Sequence, residues 1–164
     1  MAGRRVGCAL HIASASYGIY DLFATAAIRS RLRLPGTTRL RFALPGAQRL
    51  ISLADDLYIP NVSVPLFVEY ESVAKREGML EGLSAEDIEA ILDYLLKKSS
   101  IRKIFYLWWP FLKDPKDDLV LEVAVESQSE YIITFNKKDF KGIDKFGIKV
   151  LTPKEFLIER GVLK

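Results

Sequence analysis

The sequence predicts an α/β domain with a mainly parallel sheet. Three observations carry that expectation. Short apolar runs of strand length alternate with helical segments, the pattern of strands returned by crossover helices. The clearest runs, "EYIITFN" and "GIKVL", are apolar almost throughout, as strands buried on both faces are. The size also fits: 164 residues, 49% apolar and 27% charged, suit one folded domain and exclude a disordered chain.

The elements follow in order from local signals. In "VSVPLFVEYESVAKREG" Pro65 suits a first helical turn, Leu66, Tyr70, Val73 and Ala74 recur at helical spacing, and Gly78 marks the stop. "LSAEDIEAILDYLLKKSS" reads as the next helix. Ser84 and Asp87 form a variant capping box, Ile88, Ile91, Leu92, Leu95 and Leu96 form one stripe, and Lys97 and Lys98 complement the dipole at its end. "KIFYLWW" is rich in β-preferring residues and is expected to be a strand. Asp114 then caps a helix with Pro115 at its first position and Leu119, Val120, Val123 and Ala124 on its buried face. After the two apolar strands, Thr152, Pro153 and Glu155 make a capping box that opens the last helix, "KEFLIERG".

Charge is unevenly spread. Up to Arg49 all eight basic residues are arginine and the only acid is Asp21, whereas thirteen of the sixteen later basic residues are lysine. One reading is a basic arm that touches phosphate. The favoured one is an extension or misread segment outside the fold. The expectation is therefore an atypical arginine-rich segment over 1–45 and a domain over 46–164. No apolar stretch approaches the roughly 20 residues of a membrane span. A lone cysteine, Cys8, excludes an internal disulfide framework and fits a reducing cytoplasm. "MAGRRVGCALHIASA" imitates a secretion signal, but Gly7 and His11 break its short apolar stretch, so no signal is expected. His11 is read as an incidental side chain.

The acids of "FLKDPKDDLVLEVAVES" raise the functional question. Asp114 is explained as a cap and Asp117 can bond back, but Asp118 is left over. Glu69 lies beside the apolar stripe of its helix, where a carboxylate is costly unless it is paired or bound to a cation. A salt bridge to a lysine is the simpler account. Asn136 and Asp139 follow a different strand, yet parallel strands all deliver their following loops to one edge. If these groups converge, oxygen-only ligation points to Mg²⁺ or Mn²⁺ rather than zinc. The chain has no Gly-rich phosphate loop, no nucleophile elbow and no Cys/His metal spacing, so metal-dependent phosphodiester hydrolysis is the chemistry this inventory supports.

"VSVPLFVEYESV", "DPKDDLVLEVAVES", "YIITFNKKDF" and "IKVLTPKEFL", in that order, resemble the PIN-domain ribonucleases. The closest branch is the small toxins of bacterial and archaeal toxin–antitoxin pairs, and the likeness covers roughly residues 47 to 160. It implies a three-layer α/β/α domain that cuts single-stranded RNA with a ring of acids around Mg²⁺ or Mn²⁺. It also implies a cognate antitoxin and pairing of the chain with itself. By the resemblance, Glu69 matches the helix-borne glutamate and Asp118 the acid opening the later helix, with Asp117 beside it. Asn136 and Asp139 fall where the fourth polar ligand sits. The family's opening strand ends in Asp-Thr-Asn, and no such motif exists here, so the first strand is expected to be degraded or replaced, with Asp21 the only substitute acid before Asp55. The competing expectation is a catalytically impaired module that binds RNA or a partner protein, with Trp108, Trp109 and Phe111 stacking on bases. Against that stands the plainer expectation that these aromatics are core or a dimer interface.

Overall fold

Five short strands, all parallel, form the sheet of the computed structural model, which describes residues 6–10, 58–76 and 84–163. They are β1 (Val6–Leu10), β2 (Tyr58–Ser63), β3 (Ser100–Arg102), β4 (Tyr131–Ile133) and β5 (Lys149–Leu151), in the spatial order β3-β2-β1-β4-β5. Among the described residues the helices are α1 (Val64–Ala74), α2 (Ala85–Lys98), α3 (Pro115–Glu126) and α4 (Pro153–Glu159). Two short 3₁₀ turns, Lys137–Phe140 and Ile143–Phe146, lead from β4 to β5. The predicted class, α/β with a parallel sheet, is the observed one.

β1 holds the centre. Val6 stands opposite Tyr58 and Ala9 opposite Asn61 on one side, while Cys8 stands opposite Tyr131 and Leu10 opposite Ile133 on the other. The place that the sequence left to a degraded or replaced strand is thus filled by five residues from the arginine-rich stretch. Cys8 and Ala9 are fully buried, which their small size permits between two neighbouring strands. A Cβ added at Gly7 would stand 3.4 Å from both Asn61 Nδ2 and Ser129 Oγ. The glycine leaves room for a polar knot. Asn61 Nδ2 donates to the Cys8 carbonyl (3.3 Å), the Ile59 carbonyl (3.2 Å) and Ser129 Oγ (3.4 Å), and its Oδ1 accepts from Arg102 Nε at 2.7 Å. That one amide ties β1, β2 and β3 to the turn entering β4, and its burial is tolerable only because each of its groups is bonded.

Helices cover both faces. Side chains alternate along a strand, so Tyr58 and Asn61 of β2 point to opposite sides. Phe156 of α4 packs edge-on against Tyr58 and Tyr131, with ring centroids 5.5 and 5.3 Å apart, and the exit of α3 bonds Asn61 through Ser129. The result is a three-layer α/β/α arrangement. Ser63 Oγ caps α1 by accepting from Leu66 N at 3.3 Å, and Leu66, Tyr70, Val73 and Ala74 are buried as the spacing predicts. That helix closes at Ala74, earlier than the expected stop at Gly78, which lies outside the described residues. In α2, Leu92 and Leu95 are buried, while the side chains of Asp87 and Ile91 lie outside the described residues. The capping box of α4 is complete: Glu155 N donates to Thr152 Oγ1 (3.2 Å) and Thr152 N to Glu155 Oε2 (2.7 Å). Among the described residues no helix is long and apolar enough to cross a membrane.

One element differs from expectation. β3 is Ser100–Arg102, and "KIFYLWW" is not a strand: residues 103–109 have no regular structure and lie at the surface. The physical reason is competition for backbone donors. Trp108 N donates to Glu122 Oε1 at 3.1 Å, and Phe111 N and Leu112 N donate to the two oxygens of Asp118 at 3.2 and 2.8 Å. Pro110 has no N–H to offer. At the end of the run and just beyond it, carboxylates from α3 therefore take donors a ladder would need.

Candidate functional site

In a parallel sheet all strands end at one edge, and ligands bind there where the strand order reverses. Here the reversal falls between β1 and β4. The chain must return from β3 to β4 across the sheet, and α3 makes that return, so the start of α3 lies at the edge where the strands end.

Asp114 is the N-cap of α3, its Oδ1 accepting from Lys116 N at 3.0 Å, as expected. Asp118, the acid that capping left unexplained, turns back onto the preceding loop and accepts the N–H groups of Phe111 and Leu112. Asp117 and Asp118 are buried, 3% and 1% exposed. Glu69 forms an ion pair with Lys116 of α3, so the simpler account of its position holds. That pair nonetheless ties the glutamate of α1 to Lys116 in the first turn of α3. Asn136 and Asp139 meet each other within one turn after β4: Asn136 Nδ2 donates to Asp139 Oδ2, and Asn136 N donates to Thr134 Oγ1 at 3.0 Å. Asp21 lies outside the described residues.

Sequence reasoning gave no role to Glu122, which is 4% exposed and one turn beyond Asp118. The signal was present: four residues separate it from Asp118, the spacing that puts two side chains on one helix face. Burial pushes its carboxyl above the ordinary value and the charge of Asp118 adds to this, while the N–H groups of Trp108 and Trp109 pull it back. Three acids are therefore buried within two turns of one helix. Cys8 offers no alternative nucleophile, since burial pushes its thiol well above the usual range.

A divalent cation needs several oxygens aimed at one point. The carboxylate of Glu69 faces an ammonium and both oxygens of Asp118 face amides. Among the described residues, no three His, Cys, Asp or Glu side chains are grouped so as to hold a metal ion. The described side chains do not, unaided, fit a cation.

A family model described as the PIN domain matches residues 40–138, more than half of the chain. The chain belongs to the PIN-domain family. The match takes in Glu69, Asp117, Asp118, Glu122 and Asn136 and leaves β1, Asp21 and Asp139 outside. No curated protein and no solved structure matches the chain. PIN domains are generally nucleases that depend on divalent metal and act on RNA, so membership suggests a nuclease.

Proposed function

We propose that this PIN domain is an endoribonuclease that hydrolyses phosphodiester bonds of single-stranded RNA with Mg²⁺ or Mn²⁺. In this reading it is the toxin of a toxin–antitoxin pair, acts in the cytoplasm, is held in check by a cognate antitoxin and pairs with itself. The observation that carries the reading is the contact between Glu69 and the start of α3 at the strand-terminal edge of the sheet, inside the matched range. Glu69 and Asp118 are its principal acids, with Asp117, Asn136 and Asp139 beside them and Asp21 the candidate from the remainder of the chain. Lys116, half-exposed and paired with Glu69, places positive charge at this edge, where it suits a phosphate.

The test is cleavage of a single-stranded RNA with Mg²⁺ or Mn²⁺ present and with EDTA. The parent is expected to cut only with metal, and Glu69→Gln and Asp118→Asn to lose cleavage. Equal cutting by parent and both variants sinks the assignment. A second reading, a catalytically impaired module that binds RNA or a partner protein, has its own support. β1 is followed in sequence by His11 and not by an acid, and no three of the described acids are grouped so as to hold a metal ion. Binding without cleavage in metal-containing buffer selects it.

A further inference from the structure

The surface between β3 and α3 carries exposed rings among the described residues. Phe105, Tyr106 and Trp109 are 72%, 70% and 61% exposed, whereas Tyr58, Phe140 and Phe156 are buried in the core. Their inner neighbours are seated: Trp108 packs edge-on against Phe146 with centroids 4.9 Å apart, and Phe111 does the same at 5.5 Å. The backbone beneath is pinned by Glu122 at Trp108 and by Asp118 at Phe111 and Leu112. A loop held at both levels presents its outer rings in a fixed arrangement, which lowers the ordering cost of binding.

Charge decides the occupant. Between Asp93 and Asp114 the chain has five basic residues, Lys97, Lys98, Arg102, Lys103 and Lys113, and no acid. Lys103 Nζ lies 5.3 Å from the centre of the Phe105 ring, and Lys145 Nζ lies 3.9 Å from that of Phe111. The cores of protein interfaces are depleted in lysine, whereas aromatic rings among cations are how single strands are held, bases on rings and phosphates on ammonium groups.

We infer that the exposed segment 105–109, with its flanking lysines, is a stacking surface for the bases of single-stranded RNA. The inference rests on the RNA-acting reading and names the surface by which that substrate is held. The chain's two tryptophans, Trp108 and Trp109, both lie in this loop, so intrinsic fluorescence reports on it directly.

The experiment titrates the full chain with an unlabelled single-stranded RNA 12-mer in EDTA, so that binding is read without cleavage. Tryptophan fluorescence should be quenched, and the affinity should fall steeply with salt. Tyr106→Ala and Trp109→Ala should each weaken binding roughly 5- to 150-fold, the loss of one base–ring stack, with Trp109→Phe retaining most of it. Both sites are exposed, and an unchanged melting temperature shows that the variants fold. Binding by the alanine variants at the parent's affinity overturns the inference while leaving the nuclease reading intact. So does a parent that binds no RNA but forms, in sedimentation, a dimer or protein complex that the same substitutions dissociate. Ring-dependent RNA binding with no cleavage after Mn²⁺ is restored supports the inference and sinks the nuclease reading.

Discussion

The chain opens two helices with nearly the same words. α3 begins "DPKDD" and α4 begins "TPKEF": a capping side chain, proline at the first position, lysine, then acid. In α4 the acid stays local. Glu155 is exposed, closes the capping box on Thr152 and takes Lys137 Nζ at 3.0 Å on each oxygen. In α3 the acids go inward. Asp117 and Asp118 are buried, Asp118 holds a loop from outside the helix, and Glu122 repeats this one turn later. Identical local grammar therefore serves two ends, and burial of the carboxylate, not its place in the first turn, separates them. A buried carboxylate carries a desolvation cost that an exposed cap does not, so it persists only where it meets other demands.

Substitution should widen the contrast. Asp118→Ala leaves two loop amides unpaired, one of them on buried Leu112, and should cost about 3 kcal/mol in urea unfolding. Removing the cap of the other helix with Thr152→Ala should cost about 1 kcal/mol, the usual size of an N-cap. A smaller loss at Asp118 than at Thr152 breaks the comparison.

pH should separate the acids by sign. The carboxyl of Glu122 is raised above its ordinary value of 4.5, chiefly by burial, so the folded state holds its proton more tightly than the unfolded chain. Stability should then fall as pH rises from 4.5 through the raised value, and Glu122→Gln should flatten that fall. Glu155 is lowered, first by the backbone N–H of Thr152 and then by Lys137. Its contribution is present above 4.5 and lost as pH falls through the lowered value, so Glu155→Gln should flatten the acid limb instead. Thermal melts across this range read both slopes. The smallest effect is expected at Glu69. Its pair with half-exposed Lys116 is a surface ion pair, so Glu69→Gln should change stability by less than about 1 kcal/mol. Any larger effect of that substitution on RNA cleavage then belongs to chemistry rather than folding.

Much of this was legible. The 3.6-residue spacing of Leu66, Tyr70, Val73 and Ala74, and the capping grammar at Asp114 and Thr152, fix three helices because both are local signals. The apolar runs around Ile132 and Val150 mark strands for the same reason. "KIFYLWW" misled because β propensity measures fit to a pleated surface, and here the N–H of Trp108 found its partner in the carboxylate of Glu122, 14 residues away. β1 was hidden inside a stretch whose composition looks foreign, since "VGCAL" is too short to announce a strand by pattern alone. The ion pair of Glu69 was foreseen in kind but not in partner. Sequence spacing cannot choose Lys116 among thirteen later lysines, whereas the packing of α1 against α3 does.

The most direct test of the account compares the two helix starts in one assay, the rate at which Asp118→Asn and Glu155→Gln cut a single-stranded RNA with Mn²⁺. Glu155→Gln should cut at the parent's rate, and Asp118→Asn should lose cleavage by at least a hundredfold if Asp118, as proposed, acts on the reacting groups. Equal rates for the two variants would contradict it.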